Sequence, residues 1–199
     1  MSGRDHRQAS AGRGRKWAAA IGLVVVASVA VATAPQSGRL ADPFVRTGMQ
    51  GEVVHARTLD VEVTGVRAAE QLNLVYNESR LSTDGVWIIV DMIVTANVDV
   101  APLGLTELRI NGVAYGTQGL PYPDLTFTSY GPGVPVKGSL VFEVPASALE
   151  EGGLDAARVY FQRSISAQLD DVAEVIVDLT DLQVARTEII DEPVLLGVH

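Results

Sequence analysis

The side chains that could do chemistry in this chain are few and scattered. The histidines are His6, His55 and His199, in three unrelated regions, and there is no cysteine. Triad catalysis needs a histidine held between a nucleophile and a carboxylate, whereas His55 stands alone near the first strand-like segment and reads as a surface or edge-strand residue. No G-x-S-x-G or S-x-x-K stretch supplies an activated serine. No H-x-x-x-H or multi-cysteine spacing supplies zinc ligands, and no glycine-rich loop supplies a phosphate cradle. The expectation is a chain with no catalytic residue and no cofactor.

Carboxylates are the exception, because Asp170, Asp171, Glu174, Asp178 and Asp181 fall within twelve residues. Calcium needs several oxygens converging from one turn, which makes Asp170, Asp171 and Asp181 weak candidates for metal binding. The plainer reading is a row of solvated acids that keep edge strands from pairing with other chains. A retaining glycosidase pair cannot be argued from spacing, since a ~5 Å separation is a property of the fold. Asn77-Glu78-Ser79 has the form of a glycosylation triplet and is set aside as a chance match.

Two apolar groups are candidate interaction surfaces. In Val86–Ala96, VWIIVDMIVTA, strand alternation turns Val86, Ile88, Val90, Met92 and Val94 inward. The same alternation turns Trp87, Ile89 and Ile93 outward with Asp91. Such a stripe is either covered by the linker, the 68–82 segment or the C-terminal tail, or it is a docking face for a partner. The second group is Tyr122, Phe127 and Tyr130 in the Pro/Gly-rich loop GTQGLPYPDLTFTSYGPGVP, where aromatic side chains either pack over an end of the fold or carry recognition.

The element that positions everything else is Trp17–Ala34, WAAAIGLVVVASVAVATA, 18 residues without a charge. A spanning helix needs roughly 17–25 apolar residues. A signal peptide uses a shorter core and a small-x-small cleavage site; Ala32-Thr33-Ala34 has that form, but Pro35 follows it directly and would hinder cleavage. An uncleaved anchor is therefore expected, ahead of cleaved export and of a buried core helix. Five cations (Arg4, Arg7, Arg13, Arg15, Lys16) precede the run, and only Arg39 and Arg46 follow within about fifteen residues. Cationic flanks stay inside, so the N-terminus is expected in the cytoplasm and residues 35–199 outside. The run has no acid or lysine of the kind that marks transport, and it reads as a tether.

Charge divides at the same place. Residues 1–16 carry five cations against one acid, while residues 17–199 carry ten cations against 23 acids. So acidic a portion excludes nucleic acid, which requires clustered Lys and Arg. Without cysteines the exported part has no disulfides, and about 140 residues suffice for a core of its own.

From residue 50 the pattern is that of short strands. Leu59, Val61 and Val63 alternate with Asp60, Glu62 and Thr64. Residues 68–82 read as a helical turn or a long loop, and Thr83-Asp84-Gly85 is turn chemistry. ELRI-NG-VAY predicts a hairpin on Asn111-Gly112. Further strands are expected around Gly138–Pro145, Arg158–Gln162 and Glu174–Leu179, the last with Val175, Val177 and Leu179 on one face. Seven to nine such strands without a long amphipathic helix predict an all-β antiparallel sandwich, since two half-apolar sheets must cover each other. The expected organisation is a basic head (1–16), a transmembrane anchor (17–34), a linker (35–49), the sandwich (50–180) and a C-terminal tail (181–199).

The succession VEVTGVR, GVWIIVDMIVTA, LRINGVAY and GPGVPVKGSLVFEVP, covering about Gly48 to Leu179, resembles an uncharacterised Ig-like domain family of exported bacterial proteins, itself similar to a small secreted immunoprotective-antigen sandwich. The resemblance implies an Ig-like sandwich outside the membrane, no agreed activity and no catalytic residue to carry over. The chain departs from lipoprotein members in lacking an acylated cysteine, and the tail after Leu179 has no counterpart in the pattern. Together these readings predict a single-pass protein of the cell membrane with an extracellular binding or accessory domain. It is expected to dock onto a protein partner in the envelope, such as a transporter; a small-ligand or calcium-binding sandwich is the alternative, and a cleaved secreted protein the third.

Overall fold

The structure, a computed structural model, describes residues 44–98, 103–121, 125–126, 131–150, 153–162 and 171–197. The expected anchor at 17–34 lies outside them, as does the basic head. Among the described residues no helix is long and apolar enough to cross a membrane.

Among the described residues there are eleven strands: β1 (Phe44–Met49), β2 (Val53–His55), β3 (Leu59–Leu74), β4 (Ser79–Ala96), β5 (Leu105–Ile110), β6 (Val113–Gly116), β7 (Pro135–Val144), β8 (Ala157–Gln162), β9 (Asp171–Val177), β10 (Val184–Ile190) and β11 (Val194–Leu195). They form two sheets, one in the order β1-β9-β8-β5-β6, the other in the order β10-β3-β4-β7-β11 with β2 also paired to β3. The period-two residues face each other between the sheets. Val61, Val63, Ile88, Val90, Met92, Leu140 and Phe142 come from one sheet, and Leu108, Val159, Phe161, Val175 and Val177 from the other, all at 2% exposure or less. The fold is thus a β-sandwich, as the alternation requires.

Two boundaries differ from the sequence reading. The last six residues of the expected linker are β1, paired parallel with β9. The expected tail supplies β10, paired parallel with β3, and the two-residue β11. Both parallel pairs lie at sheet edges, so the sandwich is mixed rather than wholly antiparallel. Neither edge strand alternates cleanly: β1 is exposed at five of its six positions, so it lacks the buried face that marks a strand in sequence.

Residues 68–82 are strand, not helix or loop. β3 and β4 form one long hairpin, paired from Leu59↔Ala96 to Leu74↔Ser79. The chain reverses at the 3₁₀ turn Val75–Asn77, with Glu78 at φ 57°. Thr83-Asp84-Gly85 therefore does not reverse the chain. It sits where the ladder passes from Ala69↔Trp87 to Gln71↔Ser82, leaving four β4 residues opposite one of β3. Such a bulge bends and twists the hairpin. The bend is large, because Val75, at the hairpin tip, lines the same cleft as Gly138, the partner of Met92. Ser79 and Met92 would be about 43 Å apart on a straight strand. The distal half of the hairpin folds back over the outer face of its own sheet.

That fold-back covers the Trp87 stripe. Trp87 and Ile89 are 6% and 0% exposed, packed in a second apolar cluster with Ala69, Leu72, Leu74, Leu120, Val141 and Ile190. They are core, not a docking face. Ile93, further along β4 between Glu62 and Lys137, is half-buried. The covering residues come from the 68–82 segment, the Pro/Gly loop and the C-terminal strand, two of them among the covers that the sequence reading names.

Candidate functional site

On the first sheet, side chains of β1, β9, β8 and β5 that point away from the core form a shallow hollow of about 280 Å³. The register explains its make-up. Val45 pairs with Val172, and Leu105 with Gln162, giving a mostly apolar row. Beside it Glu174 pairs with Tyr160, and Tyr160 with Glu107, giving a polar row. Arg109, two residues past Glu107 on the same face, closes the end.

Glu174 is the buried acid of this face, its side chain only 5% exposed. Thr47 Oγ1 and Arg158 Nη1 each donate to its Oε1 at 3.1 Å, and the Tyr160 hydroxyl also hydrogen-bonds to it. Burial alone would raise its pKa, but the bonds from Tyr160 and Thr47 and the charge of Arg158 outweigh this and hold it below the usual range. Burial, and next the bond to Glu174, push the Tyr160 hydroxyl up. Arg109 donates to Glu107 from Nε (3.2 Å) and Nη2 (2.9 Å), and its guanidinium carbon lies 4.2 Å from the Tyr160 ring centroid. That hydrogen bond raises the Arg109 pKa further.

Chemically, Glu174 is a poor proton donor, because three groups stabilise its charged form. Glu107 is committed to Arg109. The hollow offers an apolar floor and a rim of oriented donors and acceptors, the make-up of a binding site.

The second sheet carries another polar group on its outer face. Arg67 forks onto Asp91, Nε to Oδ2 at 2.7 Å and Nη2 to Oδ1 at 2.9 Å, while Ser139 Oγ donates to Oδ1 at 2.6 Å. Arg67 Nη1 also bonds Glu188 and the Ile189 carbonyl (3.2 Å) of β10. The cluster lines a cleft of about 730 Å³ with Lys137, Asp191 and Glu192. Asp91 is fully engaged and cannot serve Ser139 as a base, so the cluster works as a clamp tying β10 to β3, β4 and β7.

The other residues singled out by the sequence do not converge. Asp171 opens β9, accepting from the Arg57 amide at 3.2 Å, and Asp181 lies beyond the far end of that strand. About 20 Å of extended chain separates them. Asp178 caps its own turn, accepting from the Thr180 amide at 2.9 Å. Among the described residues no group of three or more His, Asp or Glu is placed to hold a metal ion. Asp170, Tyr122, Phe127 and Tyr130 lie outside the described residues. From the same loop, Leu125 plugs into the core against Gly138, where an added Cβ would come within 2.8 Å of Leu125 Cγ. His55 is exposed and pairs with Asp60 at 3.0 Å.

Sequence reasoning missed the hollow because its residues come from four separated strands, and its polar members fall singly at outward positions. Leu105, Glu107 and Arg109 share one side of β5, LTELRI, which parity alone could have shown.

No family model matches the chain, and no curated protein is similar to it. Among solved structures, an uncharacterised β-sandwich protein from Clostridium difficile 630 aligns over 67% of this chain and 95% of its own, with 13% identity and a TM-score of 0.46. That similarity is weak, and the sandwich assignment rests on the strands of this chain themselves.

Proposed function

We propose that this chain is a single-pass membrane protein, N-terminus inside, that holds an Ig-like sandwich outside the cell as a binding and accessory module without catalytic activity. It docks onto a protein assembly of the cell envelope, such as a transporter. The docking surface is the outer face of the β1-β9-β8-β5-β6 sheet, with the hollow at Leu105, Glu107, Arg109 and Tyr160 receiving a partner side chain. The observation that carries the reading is the contrast between the two outer faces. The hairpin and Leu120 cover the Trp87 stripe, while the first sheet keeps an open hollow with an apolar floor and charges already neutralised in pairs. Burying such pairs at an interface leaves no charge uncompensated.

A photo-crosslinking residue in place of Leu105, in the full chain expressed in its own host, tests this. A discrete protein adduct at 105, absent when the same residue replaces Ile189 on the other sheet, is the expected result. Equal labelling at both positions, or none, would count against docking at this face. The small volume favours a second reading, a small ligand in the same hollow. A small molecule retained through purification in wild type, and lost in Tyr160→Ala, would move the account to that reading.

A further inference from the structure

Strand β1 stands at the end of its sheet and pairs along its whole length with β9, from Phe44↔Asp171 to Met49↔Ile176. Gln50 continues the ladder, its amide donating to the Ile176 carbonyl at 3.0 Å. Backbone groups alternate along a strand, so Phe44, Arg46 and Gly48 bond β9, while the amides and carbonyls of Val45, Thr47 and Met49 point the other way. Met49 is closed off within its own turn: its amide donates to Glu52 Oε2 at 2.9 Å, and its carbonyl accepts from the Glu52 amide at 3.0 Å. Among the described residues no strand takes up the outward groups of Val45 and Thr47. The edge lies in water, with Phe44, Val45 and Met49 62%, 47% and 53% exposed. Natural edge strands are blunted by lysine, proline or a bulge. FVRTGM has none of the three, and its register is unbroken.

We infer that β1 is completed by strand addition: an extended juxtamembrane segment of the envelope partner, apolar at alternate positions, bonds the free backbone of Val45 and Thr47. The inference rests on the anchored docking proposed above and deepens it. Strand addition draws affinity from main-chain bonds and specificity from side-chain pockets beside the edge, and the hollow is such a pocket. Val45, one of the two bonding positions, lines the hollow beside Val172. Thr47, the other, donates to Glu174 within it. A large apolar side chain opposite Val45 leans across it into the hollow at its Val172 end.

Two observations choose the occupant. The first is chain length. Only nine residues, Pro35–Pro43, separate the expected span from Phe44, a reach of at most about 30 Å. The added strand therefore lies close above the bilayer, where the segments leaving a membrane-embedded partner are. The second observation disfavours a second copy. A two-fold pair through Val45 and Thr47 sets Arg46 against Arg46, and like charges directly opposite are destabilising. The neighbouring two-fold registers oppose Thr47 to Pro43, which has no amide, or Val45 to Met49, whose amide is taken by Glu52. Opposite Arg46, 61% exposed with Asp171 at 3.6 Å, an acidic or neutral partner residue fits.

The test places a photo-crosslinking residue at Phe44 or at Arg46, one at a time, in the full chain in its own host, and reads the attached residue of each adduct by mass spectrometry. The expected result is attachment at positions two residues apart in one juxtamembrane segment of one membrane protein, because side chains on one face of a strand recur at every second residue. Val45→Pro removes an amide that β9 does not use, a place where an edge strand tolerates proline. Its melting temperature should stay close to that of Val45→Ala, while its adduct at 46 falls roughly tenfold below that of Val45→Ala through the lost bond and the stranded acceptor. The mapping itself uses no proline, so it decides alone if Val45→Pro unfolds. Scattered attachment, equal adducts in the two variants, or no adduct at 44 and 46 beside one at 105 overturns strand addition and leaves docking at the hollow standing. No adduct at 44, 46 or 105 removes both. Adducts that join two copies of this chain overturn the inference in favour of self-pairing.

Discussion

At the scale of single residues, the outer-face side chains of β4 lead two different lives. Trp87 and Ile89 are anchors of a second apolar cluster, and Asp91, two residues on, is locked by Arg67 and Ser139. Trp87→Asp should therefore unfold the protein rather than release a partner, at a cost of about 3–5 kcal/mol for an unpaired buried charge; a urea midpoint unchanged from wild type would show the cluster to be dispensable. Glu174 gives a pH prediction. Its pKa is depressed in the folded state, so the unfolded chain binds the extra proton on acidification, and stability rises with pH through that window. Its contribution is complete above the ordinary glutamate range and is lost as pH falls through the depressed folded value. Glu174→Gln should flatten the acid limb of a melting-temperature profile below about pH 4.5, and identical acid limbs would contradict the assignment. The inward residues of β3, β4, β7 and β9 were readable from alternation because burial there depends only on strand parity. The polar partners were not, because which acid meets Arg67 depends on register between strands far apart in sequence.

At the scale of elements, the folded-back hairpin decides which face is open. Its bend depends on Gly85, where an added Cβ would sit 2.2 Å from the Val144 carbonyl oxygen. Gly85→Ala should cost about 1–3 kcal/mol through the forced shift of β4 against β7, read as a lowered denaturation midpoint with unchanged m-value. Turn chemistry at Thr83-Asp84-Gly85 was visible in the sequence, since the Gly85 amide does donate to Thr83 Oγ1 at 2.9 Å. Whether such a turn reverses the chain or bends a continuing strand is set by the partner strand, which local spacing does not reveal. The Asn111-Gly112 turn shows the opposite case. Both residues take positive φ, 51° and 80°, and the two-residue hairpin follows from local preference alone. The Arg67 clamp belongs to this scale too. Arg67→Met removes the ion pair to Glu188 and the bond to the Ile189 carbonyl of β10, and because the cluster is partly exposed the expected global cost is only about 1 kcal/mol. Amide exchange of β10 should rise far more than that of β8, and uniform protection would argue against a clamp.

At the scale of the whole molecule, an acidic sandwich of mixed sheets begins and ends in exposed edge strands, β1 and β11, that the sequence reads as linker and tail. Neither has a buried face of its own, so no periodicity marked them. The split of Asp171 and Asp181 to opposite ends of β9 predicts that millimolar calcium leaves the melting temperature unchanged, because a ligand stabilises only what it binds in the native state; a rise would restore the metal reading. The account as a whole depends on which side of the membrane the sandwich occupies. The most direct measurement is cysteine labelling of intact host cells with a membrane-impermeant maleimide, using Val113→Cys on β6, 53% exposed in wild type, and Ser10→Cys in the basic head. The account predicts cell-associated protein labelled at 113 without permeabilisation and at 10 only after it. Labelling at 10 with protection at 113 would contradict it.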